Sequence, residues 1–284
     1  MFIYSRPRGL PSSQLQKSKR LLSSLIGLRT LSSMSKPQTV LITGAAVRVG
    51  KAIAEYLASA GWQVAIHYNT SDKEAKALEA SLKAQGAKVA LIQADLKSDF
   101  DAEAILSEVE TAIGPVHCLI NNAATFHKDT LEIPITQSQF DDHMHVNLLA
   151  PLKLVQAFTK QARHHELKNA SIINIGDGMH GWSYSSKHLT YALSKQGLMS
   201  LSHFLALDLA PDIRINSIGL GPTLPGPSDK PDTFDRLQQR IPLHTLSSLE
   251  DICRTVDFLL QSPTITGQNI LLTGGLHCTQ AIDI

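Results

Sequence analysis

Thr39-Val-Leu-Ile-Thr-Gly-Ala-Ala-Val-Arg-Val-Gly50 decides the fold of this chain. Its opening, 39–43, is β-branched and apolar and runs into glycine, which predicts a short buried strand. Its close begins a stretch of helical periodicity, 48–60, with Val49, Ile53 and Leu57 on one side and Gly61 just past the end. The turn between them, 43–50, is made of small residues that let a ligand approach the backbone. The first helical turn adds N–H donors and a positive dipole end for an anion. An ordinary glycine turn is the plain alternative. The placement between a first strand and an amphipathic helix favours a pyrophosphate-binding turn of a dinucleotide site.

The same alternation continues outward from that stretch. Further strands are expected at 63–68, 88–93, 116–121, 171–175, 213–217 and 269–273. Further helices are expected at 72–85, 98–113, 139–164, 188–209 and 249–261. Continuous apolar strands alternating with helices imply a parallel sheet covered on both faces. Right-handed crossovers then wind it in both directions. The fold class is therefore α/β, a doubly wound parallel sheet of the Rossmann type in one domain, 37–284. Ligands in such a sheet sit at the carboxyl ends of the strands.

Composition narrows the classes of function. The chain has 284 residues, 43% of them hydrophobic and 18% charged, enough for a full core. A net charge of +1 is too balanced for a nucleic-acid binder, and 5% aromatics are too few for base stacking. Cys118, Cys253 and Cys278 lie too far apart for a disulfide framework or a metal cluster. No apolar run approaches the roughly 18 residues of a membrane span. The start is a different material. Residues 1–33 hold six basic residues and no acid, so without them the balance moves from +1 to −5. This basic, Ser-rich segment, taken as 1–36, reads either as an organelle transit peptide or as a loose tail ahead of a true start at Met34. The expected location is the cytoplasm, or a mitochondrion or other organelle if the segment is a transit peptide.

The end of the second strand selects the cofactor. An NAD site places an acid there to hold the ribose hydroxyls. Here the strand ends His67-Tyr68-Asn69-Thr70-Ser71, with no acid before Asp72. Hydroxyls and amides suit a 2′-phosphate that a carboxylate would repel, and Arg48 is placed to add a charge-assisted contact. NADPH is the cofactor expected. Tyr191 and Lys195, four apart on a helix, share one face. A phenol has a pKa of about 10, and an adjacent ammonium favours phenolate. Lowering that pKa by about 3 units takes about 4 kcal/mol of differential stabilisation. Such a tyrosine delivers a proton as hydride arrives.

Tyr191-Ala-Leu-Ser-Lys195 follows, in order, the turn 43–50, Asp95-Leu96, Asn121-Asn122-Ala123 and Asn147, and precedes Gly219-Leu-Gly221-Pro222-Thr223. Over about 38–278 this set resembles the short-chain dehydrogenase/reductase family. The resemblance implies nucleotide contacts from Gly44, Arg48, Val49, Gly50, the 68–71 turn (Tyr68, Asn69, Thr70, Ser71), Asp95, Leu96, Asn122, Ala123 and Gly221. Asp95 would contact the adenine, and Asn147 would hold a water in a proton relay. Lys195 would bind the nicotinamide ribose and tune Tyr191, and Thr223 would contact the carboxamide.

Two departures point to a branch. Asp177 stands where a serine is common after the fifth strand, and Arg48 replaces a usual glycine. Both features resemble pteridine reductases and bacterial dihydromonapterin reductases, and Ser185-Ser-Lys-His188 resembles the dihydromonapterin reductase branch. The segment 121–126 resembles theirs too, which makes Phe126 the candidate to stack on a pterin. Reducing a C=N bond needs a proton on nitrogen, and Asp177 beside Tyr191 is suited to relay it or to hold ring N–H groups. The other readings are a turn-forming Asp177 and a core Phe126. Thr70 in place of arginine, Ala124 in place of serine and the stiff loop 224–227 depart from that branch.

The expected activity is NADPH-dependent reduction of a dihydropterin or dihydrofolate-like substrate, with Asp177, Tyr191, Lys195 and Asn147 catalytic and Phe126, Asp177 and Tyr191 on the substrate. The alternatives are a reductase of a small carbonyl metabolite and a non-catalytic NADP(H)-binding regulator. No metal is expected, because His143 and His145 lack a third ligand at suitable spacing. His164 and His165 read as a helix end in solvent. The partners expected are a small-molecule substrate and further copies of the chain; the family resemblance implies a dimer or tetramer through the helices 139–164 and 188–209, and the alternative is that their apolar faces are satisfied within the monomer. No nucleic acid or membrane is expected.

Overall fold

The structure, a computed structural model, describes residues 37–129, 132, 134–179, 188–226 and 232–279. The basic segment 1–36, residues 185–187 of the motif ahead of Tyr191, and Pro227 lie outside the described residues.

Strands β1 (Thr39–Ile42), β2 (Gln63–Tyr68), β3 (Val89–Gln93), β4 (Val116–Asn121), β5 (Ala170–Asp177), β6 (Ile213–Leu220) and β7 (Asn269–Leu272) form a single sheet in the order β3-β2-β1-β4-β5-β6-β7. Every neighbouring pair is parallel. The helices are α1 (Arg48–Ser59), α2 (Asp72–Ala84), α3 (Ala102–Ile113), α4 (Gln137–Met144), α5 (Ala150–His164), α6 (Leu189–Leu209), α7 (Thr233–Arg240) and α8 (Leu249–Gln261). Strand order reverses direction between β1 and β4, so the crevice of the doubly wound sheet opens above Ile42 and Asn121.

Alternate strand residues feed two apolar layers, because successive side chains on a strand point to opposite faces. Val40, Ile42, Ile120 and Ile173 pack with Ile53, Leu57, Leu82 and Val256 on one face. Leu41, Leu119 and Ile172 pack with Leu106, Val109, Leu154 and Phe158 on the other. Both faces are dry, which is why the strands read as continuous apolar runs. No helix among the described residues is long and apolar enough to cross a membrane.

Several boundaries differ from the expectation for local reasons. The helix expected at 98–113 starts at Ala102, because the Asp101 side chain accepts the Ala104 N–H at 3.0 Å and caps it. The helix expected over 139–164 begins earlier, at a capping box between Thr136 and Gln139, and is interrupted by a π-helical turn, His145–Leu149. Strands β5 and β6 run on to Asp177 and Leu220, paired residue for residue although the added residues include glycines and an acid. Helix α7 had no apolar stripe to announce it and buries none of its residues.

The exit of β1 rests on the end of β2. Ala45 N–H donates to the His67 carbonyl at 2.9 Å, and Gly44 N–H donates to His67 Nδ1 at 3.2 Å. His67 is 2% exposed, and burial pushes its pKa down to about 4. A histidine that is harder to protonate folded than unfolded contributes stability above its ordinary pKa and loses it as the pH falls towards the folded value. Lowering the pH from 7 to 4 is therefore expected to remove about 3 kcal/mol through this one ring. Urea unfolding across that range checks it: His67→Asn, which keeps an acceptor for Gly44, should show a shallower loss than the parent.

Candidate active site

The turn after β1 is a cradle that tolerates no extra atoms. Gly44 has φ +62°, a conformation that favours glycine. A Cβ on Gly50 would lie 2.4 Å from the Gly44 carbonyl oxygen and 2.6 Å from Asn122 Nδ2. Asn122 Nδ2 donates to the carbonyls of Thr43 at 2.8 Å and Gly44 at 3.1 Å. Thr43 Oγ1 in turn accepts the N–H groups of Asn122 at 2.9 Å and Ala123 at 3.0 Å. These contacts bind the ends of β1 and β4 into one floor. Helix α1 rises from that floor with no side-chain cap and no acid in its first turn. That is the donor-rich, positive terminus a pyrophosphate needs, so the residues fit a dinucleotide.

The adenosine side is divided. Asn69, Thr70 and Ser71 follow the end of β2, and Asn69 Nδ2 donates to Asp95 at 3.0 Å. The Tyr68 side chain, expected at the cofactor, is 6% exposed in the core beneath α2, and its hydroxyl donates to Asp72 at 3.1 Å. Leu96 is likewise a core side chain, 5% exposed. Val49 packs against the core from α1. Arg48 sits at φ +54° and does not turn to the 67–71 segment. Its guanidinium donates to the carbonyls of Pro225 at 2.9 Å and Leu224 at 3.1 Å, across the crevice on the loop after β6. On that loop Thr223 Oγ1 donates to the Gly221 carbonyl at 2.9 Å, and Gly221 N–H donates to the Leu272 carbonyl at 2.8 Å.

The other wall is the start of α6. Tyr191 and Lys195 lie one turn apart on it. Lys195 is 3% exposed, and its Nζ donates to the Ile175 carbonyl of β5 at 2.8 Å. Burial pushes its pKa down to about 8, with the nearby Asp177 carboxylate pulling the other way. Asp177, the last residue of β5, is half-buried and accepts the Met179 N–H at 2.8 Å, the contact a turn-forming aspartate makes. Its charge is also felt by His188.

Phe126 is well exposed rather than part of the core. Its ring meets Tyr191 edge-on at 4.7 Å between centroids and stacks on His188 at 4.6 Å. Asn147, in the π-helical turn, braces the wall. It accepts the Thr125 N–H at 2.8 Å and donates to the Thr125 carbonyl and to Ser194 Oγ, both at 3.0 Å. Both amide hydrogens are therefore used in holding the 125–126 segment against α6.

His143 and His145 face different partners: His143 bonds Thr190 and the His127 N–H, and His145 bonds the Asp141 carbonyl. His165 is not a free helix end, since it pairs with Glu110 at 2.8 Å. Sequence reading missed Asp129 and Thr190 and weighed His143 only as a metal ligand; Asp129 holds Leu189 and Thr190, and the His143 ring faces Tyr191. Asp129 meets its partners from about 60 residues away, and no local pattern marks such a contact.

Comparison with known proteins agrees with this geometry. Residues 44–277 match the family model described as enoyl-(acyl carrier protein) reductase. The chain is 29% identical over 245 residues to the 3-oxoacyl-[acyl-carrier-protein] reductase FabG of Staphylococcus epidermidis, covering 84% of this chain and 99% of the relative. The FolM alternative dihydrofolate reductase 1 of Brucella canis, solved with NADP, superposes with a TM-score of 0.81 at 35% identity, covering 87% of this chain and 96% of the other. A blue fluorescent protein from a metagenomic library, solved with NADPH, superposes at 0.77 with 28% identity, covering 84% and 97%. With its turn, its parallel sheet and its Tyr-Lys helix all in the corresponding order, the chain belongs to the short-chain dehydrogenase/reductase family of oxidoreductases.

Proposed function

We propose that this chain reduces the pyrazine-ring C=N bond of a dihydropterin or dihydrofolate-like substrate. The cofactor is NADPH, which when bound supplies the hydride. Gly44, Arg48, Val49, Gly50, the 69–71 turn, Asp95, Asn122, Ala123, Gly221 and Thr223 would hold it. The observation that carries the substrate reading is the Phe126 ring set against Tyr191, with Asp177 near enough for its charge to act on Lys195 one helical turn along. An aromatic ring, 59% exposed, stands edge-on to the proposed proton donor, and a carboxylate ends the strand beneath. A flat heterocycle stacks on such a ring. The likeness to a protein named alternative dihydrofolate reductase supports the same reading.

Each residue has a proton task. Lys195, with a pKa near 8, stays mostly cationic at pH 7 and stabilises the Tyr191 phenolate. Tyr191 gives its proton to the ring nitrogen as the neighbouring carbon accepts hydride, so a C=N bond becomes CH–NH. Asp177 holds ring N–H groups or relays the replacement proton. A carboxylate suits nitrogen, which ends the reaction protonated, better than an alkoxide, whose negative charge it would repel. Reduction of a carbonyl is the second reading, favoured by the likeness to 3-oxoacyl-carrier-protein reductase. Leu193, Phe204 and Leu207 are exposed on α6, which supports a homo-oligomer through that helix.

Purified protein with NADPH should oxidise it on addition of dihydromonapterin, followed as loss of absorbance at the nicotinamide band. Turnover of a ketone and 3-oxoacyl-thioester panel, with no pterin reduced, would overturn the substrate reading. Asp177→Ala should lower kcat about 10²–10⁴-fold on the pterin, the range of a positioned acid–base group. A loss below about threefold would leave Asp177 only its turn with Met179.

A further inference from the structure

We propose that Asp129, Thr190 and His143 form a buried clamp that sets the position of Tyr191. Helix α6 begins at Leu189, and its own N-cap residue, His188, makes no side-chain cap bond. The first N–H groups of a helix need acceptors, and an anion near them is favoured by the dipole. Asp129, 5% exposed, supplies one from outside the helix. Its Oδ1 accepts the Leu189 N–H, and its Oδ2 accepts the Thr190 N–H at 3.0 Å. The Thr190 hydroxyl also donates to Oδ2.

Donor and acceptor needs fix the rest of the chain of bonds. His127 N–H donates to His143 Nε2 at 3.0 Å, so Nε2 carries no proton. The ring hydrogen is then on Nδ1, which lies 2.7 Å from Thr190 Oγ1 and donates to it. Thr190, whose own proton goes to Asp129, is free to accept. Each member satisfies the next, and only a neutral His143 fits. Burial and the neighbouring His127 hold its pKa below the ordinary histidine value. His143 is fully buried and its ring centroid lies 5.9 Å from that of Tyr191.

The clamp therefore grips the residue immediately before Tyr191 through both backbone and side chain. It also ties the loop holding Phe126 and His127 to the same helical turn. A general acid works only within hydrogen-bond reach of the atom it protonates, so a small shift of this turn costs rate. Asp129, Thr190 and His143 are positioning residues; none needs to touch substrate. The inference rests on Tyr191 as proton donor, and it holds for either substrate reading above.

The test compares variants by NADPH oxidation with dihydromonapterin, or with a 3-oxoacyl thioester if the pterin is not turned over. NADPH affinity is read in parallel by fluorescence. Thr190→Val keeps shape and removes the hydroxyl; it should lower kcat about tenfold or more while the NADPH Kd moves less than about threefold. Thr190→Ser should restore most of the rate. Asp129→Ala should behave as Thr190→Val, or more severely. If Asp129→Ala does not fold, the Thr190 pair alone decides. Wild-type kcat in Thr190→Val, or equal losses in Thr190→Val and Thr190→Ser, overturns the clamp. Tyr191→Phe separates the two ideas: if it stays active, the donor assignment fails and the clamp with it. If it is inactive while Thr190→Val is normal, the clamp alone fails.

Discussion

Lys195 brings an ammonium group into the interior and gives it to the Ile175 carbonyl, the last stretch of β5 before the crevice. Taking a charge out of water costs several kcal/mol even after relaxation. The geometry that makes it tolerable is narrow: one backbone acceptor, and the Asp177 carboxylate two residues further along the same strand. Helix α6 is thereby registered against the carboxyl end of the sheet by a polar contact, alongside the buried Ser202 hydroxyl, which bonds Asn174 of β5 and Ser217 of β6. Tyr191 shares in that registration, and Phe126 is held beside it by the bonds of Asn147 to Thr125 and Ser194. Loss of the ammonium would take from the Ile175 carbonyl the donor that Lys195 supplies.

The sheet was legible because burial on both faces leaves little polar interruption in a strand. Gln63–Tyr68 and Val116–Asn121 match their expected bounds. The neighbourhood of Tyr191 and Lys195 was legible because i and i+4 on a helix are neighbours whatever surrounds them. Legibility ended where one residue's role depends on distant chain. Nothing local tells a tyrosine at the end of β2 to bury its ring and bond Asp72 rather than meet a nucleotide. Nothing local says that Arg48 reaches a loop more than 170 residues away, or that Asp129 caps a helix 60 residues on. Asn147 is intermediate. The resemblance singled it out for a water-holding role, whereas its observed side-chain contacts, bracing Thr125 to Ser194, come from the π-helical turn that presents it.

Asp177 stands where a serine is common in the family, and on the proposed reading that exchange changes which atoms of a substrate the site can hold. A hydroxyl polarises an oxygen by donating to it, whereas a carboxylate holds an N–H by accepting from it. On the proposed reading, the same scaffold, with the same lysine and phenol, is redirected from oxygen to nitrogen by one side chain at a strand end. Fold and family are shared with the carrier-protein reductases; on the proposed reading, substrate choice lies in Asp177, Phe126 and the loop beyond Gly221.

Arg48 stands on the nucleotide turn and fastens the backbone at Leu224 and Pro225. One guanidinium therefore belongs to two walls of the crevice. Any phosphate that draws it inward competes with those carbonyls, and any movement of the carbonyls alters how tightly the phosphate is held. Occupancy on one side and slackness on the other become a single linked equilibrium, equal in size when read from either end. Shortening this side chain would uncouple the walls without touching the phenol, the ammonium or the sheet.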